Sequence, residues 1–513
     1  MSAETCEPRY VDTTKGGTQK HCRQSDGRIV PMKARSSRKT DIIARGKSRG
    51  NRTFYDSCHA KPHQPRKHRP YSEMEEPMET KLARISQMSR ENPTMTFTSV
   101  GHLIDKEMLK SCHEAMDGTK AKGIDGVSKA DYEEHLDEKL DSLVDRLKRK
   151  AYHPQPARRV EIPKDNGKTR PLSIYCYEDK LVQEALRRVL EAVFEPMFYD
   201  EMMGFRPNRN CHMALRKLNH MLEKEYTNYV LDADIKGFFD HLDHGWIIKF
   251  VESRIKDPKI IRLVRVMLKA GIMKDYIFEE TEEGSGQGSV CSPILANIYM
   301  HYVLIWWFKE KVQPKARGFC GLVVYADDFV VCFQHKDEAQ AFYNMLGDRM
   351  EHFGLSLEKE KSRLIEFGRY ADENSKHRNG KKPETFTFLG FTHYCSEGRN
   401  GQFRVKRKTS KKKFNKKVKE MDKEIQDRLI TYGLPVPDVI KWLNQVLVGY
   451  FHYYGITDNS VMLSRFVQCV RKLLYKWLNR RSQRRSYTWG AFVDLMKNFP
   501  LVKPRIYVSI YGN

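Results

Sequence analysis

The stretch that most limits what this chain can fold into is Leu322-Val323-Val324-Tyr325-Ala326-Asp327-Asp328-Phe329-Val330-Val331, two aspartates set between two runs of β-branched and aromatic residues. Such runs favour strands, and the break between them reads as a hairpin with carboxylates at its tip. Flanks this apolar belong inside a core, where adjacent carboxylates repel each other unless a cation stands between them. Taken alone, the tetrapeptide fits an ordinary Asp turn equally well. Its partners elsewhere in the chain decide between the two.

One partner lies upstream. Tyr229-Val230-Leu231-Asp232-Ala233-Asp234-Ile235 reads as a buried strand running into Lys236-Gly237-Phe238-Phe239-Asp240-His241. Asp234 at its end is placed to join Asp327 and Asp328, with Asp232 and Asp240 as rivals for the same role. Three carboxylates from two strands suit a pair of Mg²⁺ ions ~3.5 to 4 Å apart, which activate an attacking hydroxyl and stabilise a leaving pyrophosphate.

Charge points to the class of partner. Lys and Arg number 91 against 66 Asp and Glu, a net charge of +25, which favours a polyanion. No apolar run approaches the ~18 residues of a membrane span, and no signal-peptide core opens the chain. Nucleic acid is therefore expected rather than a membrane. The 11 cysteines are scattered without a Cys-x-x-Cys pair, as in a reduced, intracellular protein.

The 513 residues are too many for one core at ~100 to 200 residues per domain. Residues 1–95, rich in Arg, Lys, Ser, Gly and Pro, read as a basic, disordered extension. From about 99 helical spacing sets in, followed by a hairpin from Arg158 to Ile174 that carries Lys164, Lys168 and Arg170 at or near its tip and can close over a triphosphate. A helix from Glu178 to about Phe194 precedes the irregular basic loop Gly204-Phe205-Arg206-Pro207. The Gly284-to-Pro293 turn leads into a helix, which lets backbone approach a nucleotide closely. Phe386 to Phe391 reads as a strand, and Arg369 to Pro383 as a loop.

From about 404 the expectation is a helix with a packed seam (Phe414, Val418, Met421, Ile425) and a cationic face: Lys406, Arg407, Lys408, Lys411, Lys412, Lys413 and Lys416. Like charges this dense are costly without phosphates nearby. Further helices make a bundle, ending in Arg480 and Arg481 among aromatics. Phe499 to Val508 reads as a closing strand.

Asp234 with Phe238-Phe239, Gln287-Gly288-x-x-x-Ser292-Pro293, Tyr325-Ala326-Asp327-Asp328, Gly354-x-Ser-Leu with Lys361, and Phe388-Leu389-Gly390 stand in an order that resembles the reverse transcriptases. More narrowly, with the Gly123-Ile124-Asp125-Gly126 loop and the basic segment after 404, the chain resembles the group II intron reverse transcriptase/maturase family. The resemblance implies an α+β right-hand polymerase. Fingers and palm, with an antiparallel palm sheet, would span 96–400, an all-α thumb or maturase domain 401–485, and a tail 486–513. It implies catalysis by Asp234, Asp327 and Asp328 with two Mg²⁺ ions, Mn²⁺ being a substitute, in a metal set that includes Ile235. Lys164, Arg170, Phe239 and Gln287 would hold the incoming dNTP, Phe239 excluding a ribose 2′-hydroxyl. Arg206, Lys361, the cations from Lys406 to Lys416, and Arg480 and Arg481 would contact nucleic acid. The implied partners are group II intron RNA, an RNA template with a DNA primer, target DNA and dNTPs, in a bacterial cytoplasm. The sequence ends at Asn513 without the His- and Cys-rich nuclease segment that many members append, so second-strand cleavage is not expected of it. Two other uses fit the same residues: a maturase whose main role is binding and splicing RNA, and a polymerase recruited to DNA repair or phage defence.

Overall fold

The computed structural model describes residues 78–511, apart from 164–168, 275–276, 280–282, 287, 381, 399 and 482–485. In chain order the helices and strands begin with α1 (Met78–Glu91), α2 (Lys106–Ala115), α3 (Lys129–Glu133) and α4 (Leu136–Lys148). Strands β1 (Ala157–Pro163) and β2 (Thr169–Ile174) precede α5 (Tyr177–Phe194), α6 (Cys211–Glu223), β3 (Tyr229–Asp234), α7 (His244–Glu252) and α8 (Pro258–Leu268). Then come β4 (Ile272–Lys274), β5 (Ile277–Glu279), α9 (Ser292–Met300), β6 (Cys320–Tyr325), β7 (Asp328–Phe333), α10 (Lys336–His352), β8 (Arg363–Glu366) and α11 (Ala371–Asn379). The order closes with β9 (Phe386–Phe388), β10 (Phe391–Glu397), β11 (Phe403–Thr409), α12 (Lys411–Gln426), α13 (Val436–Tyr454), α14 (Ser460–Leu478) and α15 (Trp489–Asn498). Helix starts follow short polar side chains that accept from the first-turn amides: Asp105 caps α2, Asn210 α6, Asp243 α7, Asp257 α8 and Ser410 α12.

The organising element is an antiparallel sheet in the order β6-β7-β3-β8. Both of its faces are covered. Leu231, Ala233, Phe329 and Val331 face one core shared with α5, α9 and α10, while Val230, Val323, Val330 and Cys332 face a second core with α6 and the sheet β11-β10-β9. Burial on two sides is why these strands read as unbroken apolar runs rather than as an alternation. A third sheet, β2-β1-β4-β5, contains the basic hairpin. Helices α12 to α15 pack their seam, Met421, Ile425, Leu443, Phe466 and Phe492 among others, into a separate core.

Several expectations are corrected. Residues expected to lack order as far as 95 include α1, whose Met78, Leu82, Ile85 and Ser89 fall on one helical face; Ser89 Oγ donates to Val193 O of α5 at 2.6 Å and accepts from Arg254. The residues before 78 lie outside the described part. Arg369 to Pro383, read as a loop, contains α11. Phe386 to Phe391 is not one strand but β9 and β10, joined at Leu389 and Gly390, both with positive φ (49° and 78°). Lys406, Arg407 and Lys408 lie on β11, not on a helix, and α12 starts only at Lys411. In the expected closing strand, Val508 makes an isolated bridge to Ile456, and residues 501–507 form no strand.

Candidate active site

The β6–β7 hairpin closes on the pair Tyr325 and Asp328, with Ala326 and Asp327 at its tip. Ala326 takes a left-handed φ of 60°, held from outside by the segment 201–204: Met203 N donates to Val324 O, and Val324 N to Glu201 O, both at 2.8 Å. Gly204 lies flat against the tip, so close that a Cβ there would stand 2.2 Å from Ala326 N. On the other side of β7, β3 sets Asp234 directly across from Asp328. The expected meeting of Asp234, Asp327 and Asp328 thus follows from strand register.

Alternation places Asp232, Asp234 and Asp328 on the same face of this sheet. Burial pushes the Asp328 carboxyl up to about 7, with repulsion from Asp232, Asp327 and Asp234 adding to it and the Leu389 amide at 3.5 Å opposing it. Burial likewise pushes Asp232 up to about 6, against the pull of Arg363 at 3.8 Å. Asp234 is more open: Lys361 Nζ donates to its carboxylate at 2.5 Å, and its carbonyl accepts from Glu358 N at 2.8 Å. That ion pair holds the Lys361 ammonium above its usual pKa. Ile235, next along, is buried and forms an isolated bridge with Leu357.

Among the described residues no three carboxylate, histidine or cysteine groups close into a ready ligand cage. The donor set is nonetheless all hard oxygen, and Mg²⁺ is commonly held by one or two carboxylates, with water and substrate phosphates completing the octahedron. Burial and repulsion together raise Asp328, and a divalent cation relieves the repulsion. The residues present fit Mg²⁺.

Beyond Asp234 the chain turns through Gly237 (φ 55°) to Phe238 and Phe239. Phe238 is buried; Phe239 is half-buried, and its carbonyl accepts from Ser285 N at 3.0 Å. The glycine turn runs from there to β2: Gly286 packs on the Tyr175 hydroxyl and Gly288 (φ 116°) on Ser173 O, where any Cβ would clash. Val290 N donates to Gln183 Oε1 at 2.9 Å. Lys164 and Gln287 lie outside the described residues, as does the side chain of Arg170.

Two expected nucleic-acid contacts are buried instead. Arg206 donates to Glu195 and to the carbonyls of Tyr199 and Met202. Arg407 sits across from His393 with no exposed surface; it donates to Asn219 and lies 4.0 Å from Asp458. Both cations hold the fold together. Lys406, Lys408, Lys411, Lys412, Lys413, Lys416, Arg480 and Arg481 reach the surface. Lys361, also expected on nucleic acid, pairs with Asp234. Residue patterning did not reveal that pairing, nor the seat of Gly204 on the Ala326 turn and of Phe205 on Phe239; a glycine followed by an aromatic in a basic loop was the one available signal.

A carboxylate-bearing hairpin paired to a carboxylate-bearing strand inside a mixed α+β domain is the arrangement of a template-directed polymerase, and the family model "Reverse transcriptase (RNA-dependent DNA polymerase)" matches residues 162–393. Residues 162–393 therefore carry a reverse transcriptase domain. A second model, "Group II intron, maturase-specific domain", matches residues 411–492, so that over both segments the chain is similar to the group II intron reverse transcriptase/maturase family. Curated relatives agree. The chain is 32% identical over 304 residues to "Group II intron-encoded protein LtrA" of Lactococcus lactis subsp. cremoris, covering 57% of this chain and 50% of that protein. It is 36% identical over 203 residues to "Protein YkfC" of Escherichia coli (39% and 53%), and 42% identical over 167 residues to "Uncharacterized 91 kDa protein in cob intron" of Schizosaccharomyces pombe (32% and 20%). The chain thus spans about half the length of LtrA and of YkfC.

Proposed function

We propose that the chain is an RNA-directed DNA polymerase that binds group II intron RNA, assists its splicing and copies RNA into cDNA in support of the intron's mobility. The observation that carries this reading is the register of β3 on β7, which brings Asp234 across from Asp328 and beside the Asp327 turn. Two Mg²⁺ ions held by Asp234, Asp327 and Asp328, with Ile235 adjoining, would supply activation of the primer hydroxyl and neutralisation of the leaving pyrophosphate. The protein's own part is positioning. Phe239 walls the sugar side of the dNTP pocket, the Gly284-to-Val290 turn brings backbone to the nucleotide, and Lys164, Arg170 and Gln287 hold the triphosphate and base. In the right-hand description, α1 joins fingers and palm over 96–400, α12 to α14 form the thumb, and the bacterial cytoplasm is the site of action. Among the described residues no helix is long and apolar enough to cross a membrane.

One observation favours RNA binding as a separable role. Lys411, Lys412 and Lys413 crowd the first turn of α12, where the helix dipole already disfavours cations; such a cost fits a surface kept for phosphates. The test serves both roles. Asp327→Ala and Asp234→Ala are each expected to lower Mg²⁺-dependent cDNA synthesis on an RNA template by ~10³-fold, while intron-RNA affinity and splicing assistance stay near wild type. Synthesis retained in a cleanly purified variant would remove these residues from the site.

A further inference from the structure

Phe205 is an anomaly that the proposed chemistry leaves unused. The residue is 52% exposed, yet its backbone takes a φ of 55°, a left-handed conformation that is a genuine outlier for a bulky side chain. Asn208, at φ 59° three residues on, is of a type that tolerates the region; Phe205 is not. The strain persists because the residues on either side are fixed. Gly204 O accepts from the buried Nδ2 of Asn297 at 3.0 Å, and Gly204 is pressed onto Ala326. Arg206 is locked by Glu195 at 2.8 Å and by three main-chain carbonyls. A loop so over-determined, carrying a strained and exposed aromatic, holds that ring in place for a purpose.

The ring's neighbour identifies the purpose. Phe205 meets Phe239 edge to face, with centroids 6.2 Å apart and planes at 76°. Phe238 meets Phe239 in the same manner from the opposite chain direction, at 5.3 Å and 73°. Phe238 belongs to the core and is immobile, whereas Phe239 is only half-buried. Phe205 is thus the outer of two aromatic supports for the Phe239 ring. It is anchored to the catalytic turn itself through Gly204.

From this geometry we infer that Phe205 is a positioning residue for sugar discrimination: it holds the Phe239 ring against the 2′ position of the incoming nucleotide and so sets the preference for deoxynucleotides over ribonucleotides. The inference rests on the reading of Phe239 as the wall of the dNTP pocket. Without Phe205 the ring is free to tilt outward, and a ribose is admitted.

The experiment compares kcat/KM for dGTP and GTP on an RNA template with a DNA primer, in the wild-type chain, Phe205→Ala, Phe205→Leu, Phe239→Ala and Phe205→Ala/Phe239→Ala. Phe205→Ala is expected to lower the dGTP:GTP ratio about tenfold, chiefly by raising GTP use, with dGTP incorporation within a few fold of wild type. Phe205→Leu, which keeps apolar bulk, is expected to retain part of the ratio. The double variant is expected to discriminate no worse than Phe239→Ala alone, since Phe205 acts through that ring. A ratio unchanged in Phe205→Ala while Phe239→Ala relaxes it overturns the inference and leaves the pocket reading intact. Effects that multiply in the double variant overturn it as well. An unchanged ratio in Phe239→Ala removes the pocket reading and the inference together.

Discussion

Gly204 shows how little tolerance the Tyr325–Asp328 turn has. An alanine there would set its Cβ 2.2 Å from Ala326 N and 2.9 Å from the Tyr325 carbonyl carbon, both backbone atoms that cannot rotate away. Either the 201–204 segment or the turn must shift, and overpacking of this kind costs typically 1 to 3 kcal/mol. Because Asp327 is next to the displaced atoms, Gly204→Ala is expected to cut cDNA synthesis by ~10²-fold, the usual scale for a misplacement of about an ångström. Gly347→Ala, where a Cβ meets nothing within 4 Å, serves as the control and keeps activity. Equal activity in the two variants would show that the turn does not depend on this close approach. The residue scale is also where the sequence was least informative about cations. The convergence of Asp234 with the Asp327-Asp328 turn was legible because carboxylates at the ends of apolar strands have few structural explanations. Arg206 and Arg407 were misread because charge in the sequence says nothing of burial. Arg407 stands among Lys406 and Lys408 as one more cation in a run, and only the cross-strand pairing with His393 and the approach of Asn219 and Asp458 reveal it as interior.

Among elements, β3, β6, β7 and helices α5 and α9 stand where their apolar patterns placed them, since each buries a broad, continuous face. Helix α1 was hidden because its one apolar face is narrow. The β9–β10 turn was hidden because Leu389 adopts a positive φ that sequence does not suggest for leucine. Where a cationic run ends one element and begins another, composition cannot mark the boundary; Ser410, which caps α12, was the local sign that the strand had ended. The cations of α12 are accordingly of two kinds. Lys417 pairs with Glu420 at 3.1 Å, while Lys411, Lys412 and Lys413 stand exposed at the helix start. Replacing Lys411 and Lys412 by alanine is expected to make the dependence of log affinity for intron RNA on log salt shallower, by ~0.7 to 0.9 for each phosphate that no longer has a lysine to neutralise it. Helix content by circular dichroism is expected to hold or rise, because two cations leave the positive end of the helix dipole. An unchanged salt slope would exclude this turn from the RNA interface.

Across the whole molecule, the helical bundle and the β6-β7-β3-β8 sheet meet at the β9–β10 turn. Tyr453, near the end of α13, donates its hydroxyl to Leu389 O at 3.0 Å and stacks on Phe391, and the Leu389 amide points to the Asp328 carboxylate at 3.5 Å. Two hydrogen bonds therefore join a bundle helix to the Asp328 carboxylate. A second tie lies close by, where buried Asn459 both accepts from Thr409 N and donates to Thr409 Oγ1, each at 2.8 Å, so the bundle stays docked if the first is removed. That redundancy separates coupling from folding. Tyr453→Phe removes one hydroxyl and keeps the ring stack, at a cost of about 1 kcal/mol in stability. If the bundle holds the nucleic acid while the sheet does the chemistry, addition of the first nucleotide is expected to remain within about twofold of wild type. The length copied per binding event, measured with a trap for released enzyme, is expected to fall several fold, because the duplex must be regripped after each step with the catalytic turn in register. Equal shortening in Asn459→Ala and Tyr453→Phe would mean that general docking matters and the Leu389 link does not. Unchanged length in Tyr453→Phe would mean that the turn receives its position from the 201–204 segment, which clamps the tip at Ala326 from the other side.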